Sequence, residues 1–170
     1  IAAWVQFQCG AIWNAASRFS DGHTNTFTNS CQSVWSYNQG LPIGVGLELW
    51  RAPRGPRILA DVRRLADATI GPKGLVKDGV LSESCDASDQ TCDHNAKQFK
   101  GIFMRYWTDL VDTTRDRRYA TFLGQQADTL WKSDRDAAGR LGTRWSGATD
   151  DAHPNVFDWR PQASALSAPI

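Results

Sequence analysis

The chain has 170 residues, of which 41% are hydrophobic, so it can fill the core of one domain of ordinary size. Lys and Arg (19) nearly balance Asp and Glu (18), and the formal net charge of +1 provides no general attraction to nucleic acid or an anionic membrane. No apolar run approaches the roughly 18 residues of a membrane-spanning helix, and the first ten residues, IAAWVQFQCG, lack the pattern of a signal peptide.

The first polar segment, SDGHTNTFTNSC, ends at residue 31 and contains Asp21, His23 and Asn25. A single His with no second His at metal-binding spacing is typical of an exposed loop. We therefore predict neither a metal ligand nor a catalytic base in this segment.

The next segment, residues 33–50, reads SVWSYNQGLPIGVGLELW and predicts a helix from Leu41 to Ala52 that is apolar on more than one face. Pro42 suits the first turn of a helix, where its missing N–H costs little. Three glycines give up packing volume, which predicts close approach of neighbouring helices: Gly40, Gly44 and Gly46. Three polar residues then lie at the N-terminal end of the helix: Tyr37, Asn38 and Gln39.

A second helix follows the short polar joint APRGPR. Its apolar residues recur at three- and four-residue steps, so it is amphipathic and packs with one face outward: Ile58, Leu59, Val62, Leu65, Ala66 and Ile70. Five arginines are spread around this joint and helix, which predicts a solvated face rather than a nucleic-acid site: Arg51, Arg54, Arg57, Arg63 and Arg64.

Four cysteines allow three disulfide pairings: Cys9, Cys31, Cys85 and Cys92. The short polar loop between Cys85 and Cys92 favours a disulfide that closes it. A rival interpretation is a metal site with Asp93 and His94, but the six-residue gap between the cysteines fits no usual zinc pairing. Disulfides predict an oxidising compartment and hence a secreted protein. The pairing of the other two cysteines stays open.

An internal repeat of sixty-one positions organises the chain, since Ala66-Asp67 corresponds to Ala127-Asp128 and Gly40 to Gly101. The second unit accordingly has a first helix from Phe99 to Val111. Its second helix carries six apolar residues at helical spacing: Tyr119, Phe122, Leu123, Ala127, Leu130 and Trp131. Gly79-Val80-Leu81 matches Gly139-Arg140-Leu141 with a slip of one residue, and a third first-helix is predicted near residues 161–166.

Each unit thus contains a first helix that is buried on two sides and an amphipathic second helix that lies outside it. Such hairpins predict an all-α fold, an α/α toroid of the (α/α)6 type. Two hairpins and part of a third are present, so we expect residues 1–170 to form a single domain corresponding to the C-terminal half of a ring. An open half-ring is the alternative, but an inner helix without its neighbour would expose a large apolar face, so we expect the N-terminal half of the same barrel as the partner of this chain.

The N-terminal ends of the inner helices form one mouth of this predicted ring. Planar amides and a Lys bind hydroxyl groups, and aromatic rings offer stacking faces, so the mixture of residues at this mouth is typical of sugar binding. The plainer alternative is that Asn38 caps a helix and Lys100 is a solvated charge.

Five motifs resemble those of glycoside hydrolase family 76, the endo-α-1,6-mannanase family, in the same order along the chain: WSYNQG, GVLSESC, FKGIF, ADTLW and RWSG. The resemblance covers roughly residues 30–166. It implies an (α/α)6 barrel that hydrolyses α-1,6-linked mannan with retention or, in relatives that build fungal cell walls, transfers it.

The shared mouth position predicts seven substrate-binding residues: Tyr37, Asn38, Gln39, Gly40, Phe99, Lys100 and Gly101. Glu83 is predicted to face the mouth as well, because it precedes Cys85 in a loop that returns to the next inner helix. Members of the family use two consecutive aspartates on an inner helix of the N-terminal half. The adjacent pair Asp150-Asp151 lies in the turn-like GATDDAHP, so we predict no catalytic residue in this chain, and no metal or cofactor. The chain would supply substrate-binding wall for α-mannan.

Three other functions fit the sequence. A non-catalytic carbohydrate-binding or scaffold protein would use the same aromatic rings and amides without carboxylate chemistry. A cell-wall mannan transglycosidase would transfer rather than hydrolyse. A helical protein-interaction repeat is favoured if the mouth residues are buried and the inner helices expose an apolar face.

Overall fold

The computed structural model describes residues 34–52, 56–72, 74–86, 92–147 and 154–168, and these form two helical hairpins and the inner helix of a third. The helices are α1 (Ser36–Arg51), α2 (Pro56–Ile70), α3 (Ala96–Thr114), α4 (Arg117–Thr129) and α5 (Trp159–Ala165). A short antiparallel pair, β1 (Val76–Lys77) and β2 (Val80–Leu81), lies in the return between the hairpins. Several residues discussed above lie outside the described residues: Cys9, Asp21, His23, Asn25, Cys31, Arg54, Asp150 and Asp151.

The inner helices lie side by side, with α3 between α1 and α5. The outer helices cover them, since α2 packs on α1 and α4 packs on α3. The core lies between these layers and is centred on Trp107, whose ring contacts Phe103, Tyr119 and Phe122 at centroid distances of 5.0–5.2 Å. The predicted all-α arrangement of inner and outer helices is confirmed.

Two glycines allow the inner helices to approach closely. A Cβ on Gly40 would lie 2.8 Å from the Cα of Phe103, and a Cβ on Gly101 would lie 2.6 Å from the Cα of Ser164. Each glycine therefore faces the residue sixty-three positions further along the chain. The internal repeat seen in the sequence is thus a repeated helix contact in the structure.

The first inner helix differs from its prediction in two respects. It begins at Ser36 rather than Leu41, so Pro42 lies in its interior and removes the N–H that would bond the carbonyl of Asn38. Gly46 faces the outer helix, because a Cβ there would meet Val62 at 2.3 Å. The helix starts earlier because a distant carboxylate, described below, accepts a hydrogen bond from the N–H of Ser36.

The second hairpin ends in a π-turn, Leu130–Asp134, that the sequence did not predict. A π-turn shifts the phase of the helix, since it contains more residues per turn than an α-helix. Trp131, which helical spacing placed on the apolar face, is therefore 50% exposed, with the guanidinium of Arg135 3.8 Å from its ring centroid.

The two return segments repeat a backbone contact. The N–H of Leu81 donates to Oε1 of Gln126 and the N–H of Leu141 donates to Oε1 of Gln162, both at 2.8 Å. The glycine two residues before each leucine has a positive φ, of 82° and 79°. The sequence match between residues 79–81 and residues 139–141 therefore corresponds to a repeated contact in the structure.

The N-terminal ends of the inner helices lie at one end of the fold, where a carboxylate accepts hydrogen bonds from each helix start. Asp93 accepts from the N–H of Ala96 at the start of α3, and Asp158 accepts from the N–H of Arg160 in α5. Lys97 of α3 pairs with Asp158 at 2.8 Å, which links the two helix starts. We call this end the mouth; the residues at the starts of α1, α3 and α5 and the loop 82–86 form it.

Candidate functional site

An aromatic cluster joins α1 and α3 at the mouth. The ring of Tyr37 lies 4.3 Å from that of Phe99, centroid to centroid, at an interplanar angle of 44°. The ring of Trp35 meets Phe99 edge-on at 5.5 Å. All three side chains are half-buried, so each retains solvent-accessible surface. We refer to Tyr37 and Phe99 as the aromatic pair.

The two neighbouring amides of α1 differ in their surroundings. Gln39 is buried, and its Nε2 donates to the carbonyl of Trp35 at 2.9 Å, so it fixes the first helical turn. Asn38 is half-buried, and its Nδ2 is enclosed without a hydrogen-bond acceptor among the described residues. An enclosed donor without an acceptor is costly. The Nδ2 donor of Asn38 is therefore unsatisfied among the described residues, in a residue that as a whole is half-buried.

Glu83 lies beneath the start of α1 rather than in an open mouth. Its side chain is buried, its two carboxylate oxygens each accept from the N–H of Ser36 at 3.2 Å, and it also bonds the Ser36 hydroxyl. Burial raises the pKa of Glu83 to about 7, although the bonds from Ser36 and the charge of Lys100 oppose this shift. Trp35, the residue before the helix, provides no side-chain cap, so Glu83 caps α1 from forty-seven residues away.

Lys100 is enclosed as well, with only 1% of its surface exposed. Its Nζ donates to Oδ2 of Asp86 at 2.5 Å and to the carbonyl of Thr143 at 2.6 Å, and lies 5.1 Å from the ring centroid of Trp145. The ammonium group is thus held by a carboxylate, a carbonyl and an aromatic face. Lys100 binds the return loops in this structure and does not extend to the surface.

A second buried carboxylate, Asp134, lies in the π-turn. It accepts from the N–H of Gly142 at 2.8 Å and from Nδ2 of Asn155 at 2.6 Å. Burial raises the pKa of Asp134 to about 6, while these hydrogen bonds oppose the shift. Asp134 therefore fixes the second return loop against the segment that leads to α5.

Cys85 and Cys92 form a disulfide, as the sequence predicted. Cys85, Asp86 and Cys92 bring possible ligand atoms within 4.8 Å of one another. The disulfide removes the two thiolates that the rival metal site would need, because a thiolate is the metal-binding form of cysteine.

The eight predicted binding residues thus fall into two groups. Tyr37, Asn38 and Phe99 are half-buried, although Nδ2 of Asn38 is enclosed. The others are buried at helix contacts or in the polar network beneath the mouth: Gln39, Gly40, Glu83, Lys100 and Gly101. Sequence reasoning missed Ser36 and Asp86, which complete this network. Ser36 lies in the motif WSYNQG and Asp86 directly follows Cys85 of the predicted disulfide, and these positions were the signals in the sequence.

A family model described as "Glycosyl hydrolase family 76" matches residues 1–169. The chain belongs to this family. A search of curated proteins found no match. Among the described residues, none of the helices of this family 76 chain is long and apolar enough to span a membrane.

Solved structures with low sequence identity share the fold. The Lin0763 protein of Listeria innocua is 23% identical, with a TM-score of 0.78, and an inactive variant of the α-1,6-mannanase GH76A of Salegentibacter sp. HEL1_6 in complex with α-1,6-mannotetrose is 22% identical, with a TM-score of 0.72. Dfg5 of Chaetomium thermophilum, in complex with glucosamine, is 23% identical, with a TM-score of 0.77. Each match covers 98% of this chain, which spans 45%, 48% and 42% of the three structures in that order.

Proposed function

We propose that this family 76 chain forms part of the substrate-binding wall of a secreted glycoside hydrolase that acts on α-1,6-linked mannan. The observation that carries the proposal is the half-buried aromatic pair next to Asn38, whose Nδ2 has no hydrogen-bond acceptor among the described residues. A pyranose presents C–H groups on its faces and hydroxyls at its edge, and these match an aromatic surface and an amide donor. A similar fold binds an α-1,6-mannotetrose, which supports this class of ligand.

The buried residues support the wall from below in this proposal. Gln39, Glu83 and Lys100 hold the helix starts that carry the aromatic pair and Asn38. Gly40 and Gly101 set the spacing of the inner helices. These five residues therefore act on substrate through their neighbours and not by direct contact.

The proposal assigns no catalytic residue to this chain. Glycoside hydrolysis requires one carboxyl group to protonate the leaving oxygen and a second to attack the sugar or activate water. Glu83 and Asp134 are committed to backbone groups in this structure, and the resemblance implies that two consecutive aspartates elsewhere in the barrel perform these roles.

The test is release of oligosaccharides from α-1,6-mannan by the full-length natural protein and by residues 1–170 alone. Release by the full-length protein only supports a wall whose catalytic aspartates lie outside this chain. Release by the isolated chain would contradict the carboxylate assignment. Products longer than an added oligosaccharide would indicate a transglycosidase, and binding without any product would indicate a carbohydrate-binding protein.

A further inference from the structure

The loop 82–86 lies between the starts of α1 and α3 and contacts both. On one side the Glu83 carboxylate accepts from Ser36, the first residue of α1. On the other side the Asp86 carboxylate accepts from Nζ of Lys100 in α3, at 2.5 Å. This loop is therefore a direct polar link between two inner helices.

The two contacts are also joined to each other. Oδ2 of Asp86, which binds Lys100, accepts from the backbone N–H of Glu83 at 2.9 Å. Oδ1 of Asp86 lies 3.6 Å from Sγ of Cys92, and the Cys85–Cys92 disulfide closes the loop on the far side. A continuous series of buried and part-buried hydrogen bonds thus runs from Ser36 through Glu83 and Asp86 to Lys100.

Each end of this series is next in sequence to one ring of the aromatic pair. Ser36 precedes Tyr37, and Lys100 follows Phe99. The side chains of the N-cap residues, Trp35 for α1 and Asn95 for α3, accept no hydrogen bond from the backbone N–H groups of their helices. The loop 82–86 therefore adds a polar link to the Gly40–Phe103 helix contact and the Asp93 cap of α3, and it holds the residues directly beside the two rings.

We propose that Glu83 and Asp86 are positioning residues that set the spacing of Tyr37 and Phe99 and thereby the affinity of the mouth for mannose units. This inference rests on the proposed function for the ligand, but the spacing itself is a structural claim that is tested separately. Glu83 does not contact substrate in this proposal; it positions the residues that do.

The experiment compares Glu83→Gln, Asp86→Asn and the double variant in the full-length protein. Asp128→Asn is the matched control, because Asp128 is an exposed carboxylate on outer helix α4 that pairs with Lys132. Crystal structures give the separation of the two rings, and calorimetry gives the Kd for α-1,6-mannotetraose. All measurements are made at pH 8, above the pKa of about 7 of Glu83, because below that pH Gln would resemble the protonated carboxyl. Glu83→Gln keeps the size of the side chain, so it decides the outcome if Asp86→Asn fails to fold.

We expect the rings to move from their 4.3 Å separation in Glu83→Gln and Asp86→Asn and the Kd to rise about tenfold. The double variant should lose no more affinity than the weaker-binding single variant, because both residues belong to one series of bonds. Rings that stay in place in Glu83→Gln, or losses that simply add, would overturn the inference. If the unmodified protein does not bind mannotetraose, the proposed function fails and the ring separations alone decide the inference.

Discussion

At the scale of single residues, the mouth is built over charged groups that are removed from water. Lys100, Asp86 and Glu83 form one buried network, and Asp134 lies close enough to Lys100 and Asp86 for their charges to affect its pKa. A buried ion pair contributes little net stability compared with apolar side chains of the same size, but the loss of one member is severe. Such a network holds the mouth in one geometry, and we expect it to tolerate few substitutions.

Removal of the Lys100 charge tests this network. Lys100→Met leaves the Asp86 carboxylate, whose side chain is 8% exposed, without a counter-charge, so we expect a loss of about 3–5 kcal/mol in the free energy of unfolding. Lys132→Met is the control, because its partner Asp128 is 70% exposed and such pairs contribute about 0–1 kcal/mol. Urea denaturation measures both. Equal losses in the two variants would contradict the account.

The raised pKa of Glu83 predicts a dependence of stability on pH. Between about pH 4.3, the usual value for Glu, and pH 7, folded Glu83 retains a proton that the unfolded chain has lost. Its stabilising contribution is therefore present at low pH and is lost as the pH rises through 7. Asp134 acts in the same direction, with a pKa of about 6.

Comparison with Glu83→Gln isolates this effect, since the contribution of Asp134 is common to both proteins. We expect the free energy of unfolding of the unmodified protein, relative to the variant, to fall by up to about 1.4 kcal/mol per pH unit across this range. Denaturation curves at a series of pH values measure it. A difference that stays constant from pH 4 to 8 would show that Glu83 ionises normally in the fold.

At the scale of helices, the contacts between inner helices depend on glycines. The sequence predicted this contact because Gly40 and Gly101 recur at the repeat distance, and both lie against the backbone of the next inner helix. It did not predict the start of α1, because the cap, Glu83, is forty-seven residues distant from Ser36. Local patterns predict helices well, whereas a cap supplied by a remote loop leaves no signal near the helix.

Two substitutions to Ala should have opposite signs. Gly101→Ala would place a Cβ 2.6 Å from the Cα of Ser164, so the helices must separate and we expect a loss of about 1–3 kcal/mol. Gly124→Ala, in the middle of outer helix α4, meets no atom within 4 Å and should gain about 0.5–1 kcal/mol from helix propensity. Thermal unfolding of both variants measures the signs. Stabilisation by Gly101→Ala would contradict close inner-helix packing.

At the scale of the whole molecule, the repeat, the helical hairpins and the Cys85–Cys92 disulfide could be predicted from the sequence. The composition of the mouth was predicted too, but the burial of individual side chains was not. Lys100 is polar and lies at a helix start, which is typical of exposed residues, yet the return loops that carry Asp86 and Thr143 cover it. Burial by such loops is a tertiary property that neither periodicity nor motif spacing reports.

The Cys85–Cys92 disulfide connects the overall fold to the candidate site, because it closes the loop that carries Asp86. Loss of the bond in the Cys85→Ser/Cys92→Ser double variant should cost about 2–3 kcal/mol, the entropy of a loop of this length. It should also weaken mannotetraose binding, because Asp86 follows Cys85 directly and holds Lys100. Denaturation and calorimetry measure the two effects. Unchanged stability and affinity would mean that the loop is held by its hydrogen bonds alone.

We propose that the mouth binds α-1,6-linked mannose through the aromatic pair and Asn38. Calorimetric titration of α-1,6-mannotetraose into the full-length protein tests this binding. The control variant is Gln125→Ala, an exposed amide on outer helix α4. We expect binding that Gln125→Ala leaves unchanged and that Asn38→Ala weakens by about 3- to 10-fold, as for the loss of one neutral hydrogen bond. No binding by the unmodified protein, or equal affinity in the Asn38→Ala variant, would contradict the account.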